Sequence, residues 1–113
     1  MRVQVNVNEG YAILSLEGDL IGEEVGQEII EAVNNLLIDG IKYCAMDISD
    51  VRFVNSSGIG VLITVLTKLR NKDGELVLVN PSSHVKKLLI ITKLHAIFKI
   101  TDTLEEGVQS LKS

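Results

Sequence analysis

The sequence predicts an α/β fold: a mixed, mostly parallel β-sheet that begins with an antiparallel hairpin and carries about four helices. Three observations lead there. Strand-like and helix-like hydrophobic periods alternate along most of the chain, which is the pattern of a parallel sheet with helical crossovers. Two of the strand candidates, "KYCAMDIS" and "ELVLVN", are apolar on both faces, as buried strands between helical layers must be. The first two strand candidates are separated only by Glu9-Gly10, enough for a hairpin turn and too short for a crossover. The order reads β β α β α β α β α. With 113 residues, no linker, no repeat and no low-complexity tract, residues 1–113 read as a single domain.

Each element has its own signal. Val3–Asn8 alternates strictly, with Val3, Val5 and Val7 on one face and Gln4, Asn6 and Asn8 on the other, so it predicts a half-exposed edge strand. Tyr11–Gly18 predicts its hairpin partner. Over Asp19–Gly40 the period changes to helical through Val25, Ile29, Ala32, Val33 and Leu36. Glu23 and Glu24 complement the helix dipole at its start, and Asp39-Gly40 supplies the stop. Lys42–Ser49 predicts a central strand. Residues 56–71 predict a helix with Ile59, Leu62, Ile63, Leu66 and Leu69 inward. Glu75–Asn80 predicts a buried strand, Ser83–Thr92 a helix after Pro81, and Ile97–Ile100 a short last strand. Thr103 to Glu106 is a capping box that opens a terminal helix ending near Leu111.

Composition excludes several functional classes. The formal net charge is −4, without the basic excess of a nucleic-acid binder. The lysine groups Lys86, Lys87, Lys93 and Lys68, Arg70, Lys72 read as solvated helix faces. Cys44 is the one cysteine, so no internal disulfide can form, and its place in an apolar strand marks it as a small buried hydrophobe. The N-terminus lacks the apolar core of a signal peptide, and no run reaches the ~18 apolar residues of a membrane span. The expectation is a cytoplasmic protein with no membrane partner.

Chemistry concentrates in "VNSSGIG", Val54–Gly60, between two apolar runs. In sheets of this kind the functional edge lies at the carboxyl ends of the parallel strands. Asp19, Asp47, Asp50, Asn55, Ser56, Ser57 and Asn80 are therefore expected on one rim. One polar residue before Ile59 is explained as a helix cap; two hydroxyls, an amide and two glycines are more than a cap requires. Gly58 and Gly60 fall in the first turn of a helix, where each disfavours helix relative to Ala. They serve either close packing on the sheet or a low outer surface open to another molecule. Ser56, Ser57, Gly60, Val61, Thr64 and Lys68 are expected away from the inward stripe, as a docking face.

Catalytic patterns do not fit. Neither serine has the glycine spacing of a nucleophile elbow, no lysine follows Gly60 as a P-loop requires, and Gly58-x-Gly60 lacks the third glycine of a dinucleotide fingerprint. His84 and His95 read as ordinary surface residues, and the aspartates as caps or turns. No catalytic residue, metal ligand or cofactor is expected. What remains is a serine at a helix N-terminus. Free N–H groups and the helix dipole favour an anion there, and a phosphoryl group would place ~1.5 to 2 negative charges inside a docking face.

The segments "EGDL", "MDISDVRFVNSSGIGVL" and "LVLVNPSSHVKKLL" resemble the STAS domain family, in particular the free-standing anti-sigma factor antagonists of bacteria. The resemblance runs from Val3 to Leu111 and implies the STAS fold. The family motif is D-S-[ST]-G-[LI]-G before an apolar helix. The resemblance implies that Ser56 is phosphorylated by a partner that is both serine kinase and anti-sigma factor. It also implies that Asp19, Asn55, Ser57, Gly58, Gly60, Val61 and Thr64 contribute to partner binding, that the unphosphorylated form binds that partner and releases a sigma factor, and that a serine phosphatase resets the switch. One position departs from the pattern: Asn55 stands where the family usually has Asp, keeping the shape and losing the charge. Some family members lack phosphorylation and serve as scaffolds, or as subunits of stress-sensing or lipid-transport complexes.

Overall fold

The computed structural model describes residues 1–112. Its elements follow the predicted order: β1 (Arg2–Asn8), β2 (Tyr11–Leu20), α1 (Glu23–Ile38), β3 (Tyr43–Val54), α2 (Ser56–Arg70), β4 (Glu75–Val79), α3 (Ser83–Ile91), β5 (Lys99–Thr101) and α4 (Leu104–Lys112). The strands form one sheet in the order β1-β2-β3-β4-β5. β1 is antiparallel to β2, and the other neighbours are parallel.

The sheet is buried on both faces at its centre because its strands present apolar side chains alternately to each side. Leu14 and Leu16 of β2, Met46 and Ile48 of β3, and Leu76 and Leu78 of β4 form the main core with Ile29 and Val33 of α1, Val65 and Leu66 of α2, and Val85 and Leu89 of α3. Ala45, Val77 and Val79 point the opposite way and pack with Leu104, Val108 and Leu111 of α4. Each such Leu, Ile or Val contributes about 1.5–3 kcal/mol by leaving water. The capping box at α4 forms: the Glu106 N–H donates to Thr103 Oγ1 at 3.1 Å, and that hydroxyl donates to Glu106 Oε1 at 3.0 Å.

Four boundaries differ from the sequence reading. The central strand runs to Val54 rather than ending at Ser49, and β2 runs to Leu20. The two remain paired through register shifts between Ser15 and Glu17 and between Gly18 and Leu20. These irregularities break strict alternation, and that makes the far half of β3 read as a loop. The helical period seen from Asp19 begins only at Glu23, after Gly22 at φ +95°. The last strand shifts to Lys99–Thr101, because Leu94–Ala96 form a 3₁₀ turn that delivers Phe98 into the core.

Candidate functional site

The long β3 strand ends directly in Asn55, whose extended backbone (φ −105°, ψ −173°) makes it the N-cap of α2. Asn55 Oδ1 accepts from the Gly58 N–H at 3.0 Å and from the Ser57 hydroxyl at 2.7 Å. Ser57 Oγ in turn accepts from the Gly22 N–H at 3.2 Å. One amide oxygen and one hydroxyl thus tie the start of α2 to the turn before α1, across 35 positions of sequence. Capping of this kind stabilises a helix by about 1 kcal/mol.

Ser56 is different. It is exposed, it is the first residue of α2, and its hydroxyl makes no hydrogen bond among the described residues. The backbone N–H groups of Ser56 and Ser57 precede the first intrahelical bond and are open to an anion. The two adjacent serines therefore divide their roles: Ser57 holds the structure, and Ser56 faces solvent unengaged.

The two glycines divide in the same way. A Cβ on Gly58 would strike the Leu20 carbonyl oxygen and lie 2.9 Å from both Leu20 Cγ and Val54 Cγ1. A Cβ on Gly60 would meet nothing within 4 Å. Gly58 is a packing glycine; Gly60 leaves an open surface beside Ser56.

Val61 corrects the expected phase of the helix. It is only 9% exposed and faces α1, where Gly26 has no side chain: a Cβ on Gly26 would lie 2.6 Å from Val61 Cγ2. Ile63, assigned inward by spacing, is instead 37% exposed. The physical reason is that α2 packs against both the sheet and α1, so its buried arc runs through Gly58, Val61, Leu62, Val65, Leu66 and Leu69. The outer strip is Ser56, Gly60, Ile63 and Thr67. Thr64 is half-buried, and its hydroxyl donates back to the Gly60 carbonyl at 2.8 Å.

The other rim residues are only partly brought together. Asp19 lies at the end of β2, paired with Arg52 of β3: Arg52 Nη2 donates to Asp19 Oδ2 at 3.4 Å, and Nε sits 3.3 Å from Oδ1. Oδ1 gains charge attraction without an aligned hydrogen bond. Asp47 does not reach the rim. It sits within β3 opposite Ser15 and Val79, and its Oδ1 accepts from the Ser49 N–H at 3.0 Å and hydroxyl at 2.7 Å. Asp50 is opposite Glu17, also short of the strand end.

Two exposed apolar residues near the site escaped the sequence reading. Ile21 follows Leu20, whose carbonyl accepts from the Asn55 N–H at 3.5 Å, so it lies beside the serine turn. Phe53 is exposed two residues before Asn55, in edge-on contact with the His84 ring, centroids 5.4 Å apart. Phe53 and His84 border an open cleft of about 1000 Å³ between β3 and the start of α3. The signal was present: Ile21 belongs to neither flanking hydrophobic period.

Cys44 is inert, since burial pushes its thiol up to about 12 despite a backbone hydrogen bond with Leu14 that lowers it. Among the described residues no group of three or more His, Cys, Asp or Glu side chains could hold a metal ion. Among the described residues no helix is long and apolar enough to cross a membrane.

A sheet of this order with a capped serine turn at the end of its central strand defines a class of small α/β domains. The STAS domain profile matches residues 2–107, and the chain belongs to the STAS domain family. A Thermotoga neapolitana homolog of the protein TM1081 is 30% identical over 79 residues, 70% of each chain. The solved structure of an anti-sigma factor antagonist from Mycobacterium paratuberculosis superposes with a TM-score of 0.84 at 20% identity, over 99% of this chain and 94% of that one. The Bacillus anti-sigma factor antagonist SpoIIAA matches with TM-scores of 0.75 in its unphosphorylated form and 0.74 in its phosphorylated form, each at 20% identity over 96% of this chain. The unphosphorylated structure is covered over 96% of its length and the phosphorylated one over 98%.

Proposed function

We propose that this STAS domain is an anti-sigma factor antagonist that works as a phosphorylation-switched binding module. The unphosphorylated chain docks an anti-sigma factor that is also a serine kinase, through the outer strip of α2 and the flanking Asp19, Ile21 and Asn55. Docking releases a sigma factor. Phosphorylation of Ser56 ends the interaction, and a serine phosphatase restores it, in the cytoplasm of a bacterium.

The observation that carries this reading is the unequal state of the two serines: Ser56 is exposed and unengaged, while Ser57 donates to Asn55 and accepts from Gly22. A phosphoryl group on Ser56 would sit against open helix N–H groups, so the modified fold remains stable. The cost falls on the complex, because docking would bury a dianion. Asn55 is uncharged where an acidic residue is usual, yet it supplies the cap as Asp would.

The test is phosphorylation of the full chain by its cognate kinase with ATP, read by site-resolved mass spectrometry. Ser56→Ala is expected to abolish incorporation and Ser57→Ala to preserve it. Phosphate on Ser57 overturns the site. A partner that binds but never phosphorylates the chain overturns the switch and supports an unswitched scaffold in a larger complex.

A further inference from the structure

We infer that the chain forms a symmetric dimer by pairing its free edge strand β1 with β1 of a second copy, giving one continuous sheet across the two-fold axis.

β1 is the least covered strand of the sheet. It is bonded to β2 on one side only, and six of its seven residues, all but Val3, are exposed. Val5 is 45% and Val7 55% exposed, although both lie on the face that carries α1 and α2. On the other side of the strand, Gln4 and Asn6 border a shallow depression with Ile13, Ser15 and Leu104. Every second residue of β1 also turns its N–H and C=O away from β2, toward open solvent.

Edge strands are ordinarily blunted by proline, lysine, a bulge or short length. The opposite edge of this sheet follows that rule: β5 has three residues and begins with Lys99. β1 does not. Its seven residues pair with β2 without a register shift and include no proline, lysine or acidic residue.

The sequence of β1 also specifies its occupant. Read about Val5, "RVQVNVN" is close to a palindrome in chemical type. A two-fold axis through Val5 places Val5 opposite Val5, Val3 opposite Val7, and Gln4 opposite Asn6 of the second copy. All seven residues are paired, with valines on one face and amides on the other. A one-residue slip would set valines against amides, which the pleat disfavours. The same register sets Arg2 opposite Asn8, adjacent to Glu9 of the second copy, so opposite charges meet at both ends of the seam. An isologous contact of this kind closes on itself at two copies. β2 separates β1 from β3, which leads into Ser56, so the dimer leaves both candidate docking faces free.

The test is sedimentation of the full chain over a wide concentration range. The wild type is expected to pass from monomer to dimer. Val5→Lys puts two ammonium groups opposite each other on the axis and should raise the dimer dissociation constant at least about tenfold with an unchanged circular dichroism spectrum. Register is read by cysteine pairing, with Cys44 too buried to compete. Val5→Cys should form an intermolecular disulfide under mild oxidation, since Cα atoms of directly opposed residues lie about 4.5–5.5 Å apart, within the span of a disulfide. Val7→Cys should not, because its two copies are offset by four residues, about 13 Å. A chain that stays monomeric throughout, a dimer untouched by Val5→Lys, or equal cross-linking of both cysteine variants overturns the inference.

Discussion

The inner and outer faces of α2 are built from the same small residue types put to opposite uses. On the inner side, Gly58 lets the helix start approach the Leu20 carbonyl, and Gly26 of α1 makes room for Val61. On the outer side, Gly60 faces open space beside an unengaged Ser56. Glycine is therefore not one signal. Where added atoms would collide, it records packing. Where nothing is near, it keeps a surface low, at a cost in helix propensity that the inner contacts offset. The same division separates Ser57, bonded on both sides, from Ser56.

The largest effects are expected where the inner face is filled. Gly58→Ala forces a methyl group into a backbone carbonyl and should lower unfolding free energy by about 2–3 kcal/mol, read as a drop in denaturant midpoint. Val61→Lys should cost about 2 kcal/mol, because the valine's burial is lost and an ammonium is left beside α1. If either variant is as stable as wild type, the packing role of this face is wrong.

Smaller losses test the cap. Asn55→Ala removes the acceptor for the Gly58 N–H and the Ser57 hydroxyl together, and should cost about 1 kcal/mol in thermal or chemical denaturation. Asn55→Asp should hold stability, since a carboxylate accepts the same two bonds and meets the helix dipole favourably. Gly60 tests the outer face: Gly60→Ala should stabilise by up to about 1 kcal/mol, less for its closeness to the helix start. Gly60→Glu should fold normally and bind the partner at least about tenfold more weakly in a titration, the equivalent of about 1.4 kcal/mol.

Much of this was legible in the sequence. The element order, the edge position of β1, the buried central strands and the capped serine turn all follow from hydrophobic period and turn chemistry. The phase of α2 was not. Ile59, Leu62, Ile63 and Leu66 make a consistent stripe in isolation, and only the contact with α1 through Gly26 rotates Val61 inward and Ile63 outward. The reach of β3 was hidden by register shifts that mimic a loop. The separate roles of Ser56 and Ser57 depend on the Gly22 N–H, a partner that no local pattern reveals.

The smallest expected effect on stability falls at the residue with the largest expected effect on function. The exposed Ser56 hydroxyl makes no hydrogen bond among the described residues, so Ser56→Ala breaks none. Its unfolding free energy should stay within about 0.5 kcal/mol of wild type. Ser57→Ala, one residue on, leaves the Gly22 N–H without its acceptor and removes one of the two donors to Asn55 Oδ1, and should lose about 1 kcal/mol. Ser56→Asp should be neutral or up to about 1 kcal/mol more stable, because a carboxylate at the first turn opposes the helix dipole. Differential scanning calorimetry of the three variants under one buffer separates these outcomes. Equal losses in Ser56→Ala and Ser57→Ala would mean that Ser56 is held within the fold, and the distinction between a structural and a free hydroxyl would fail.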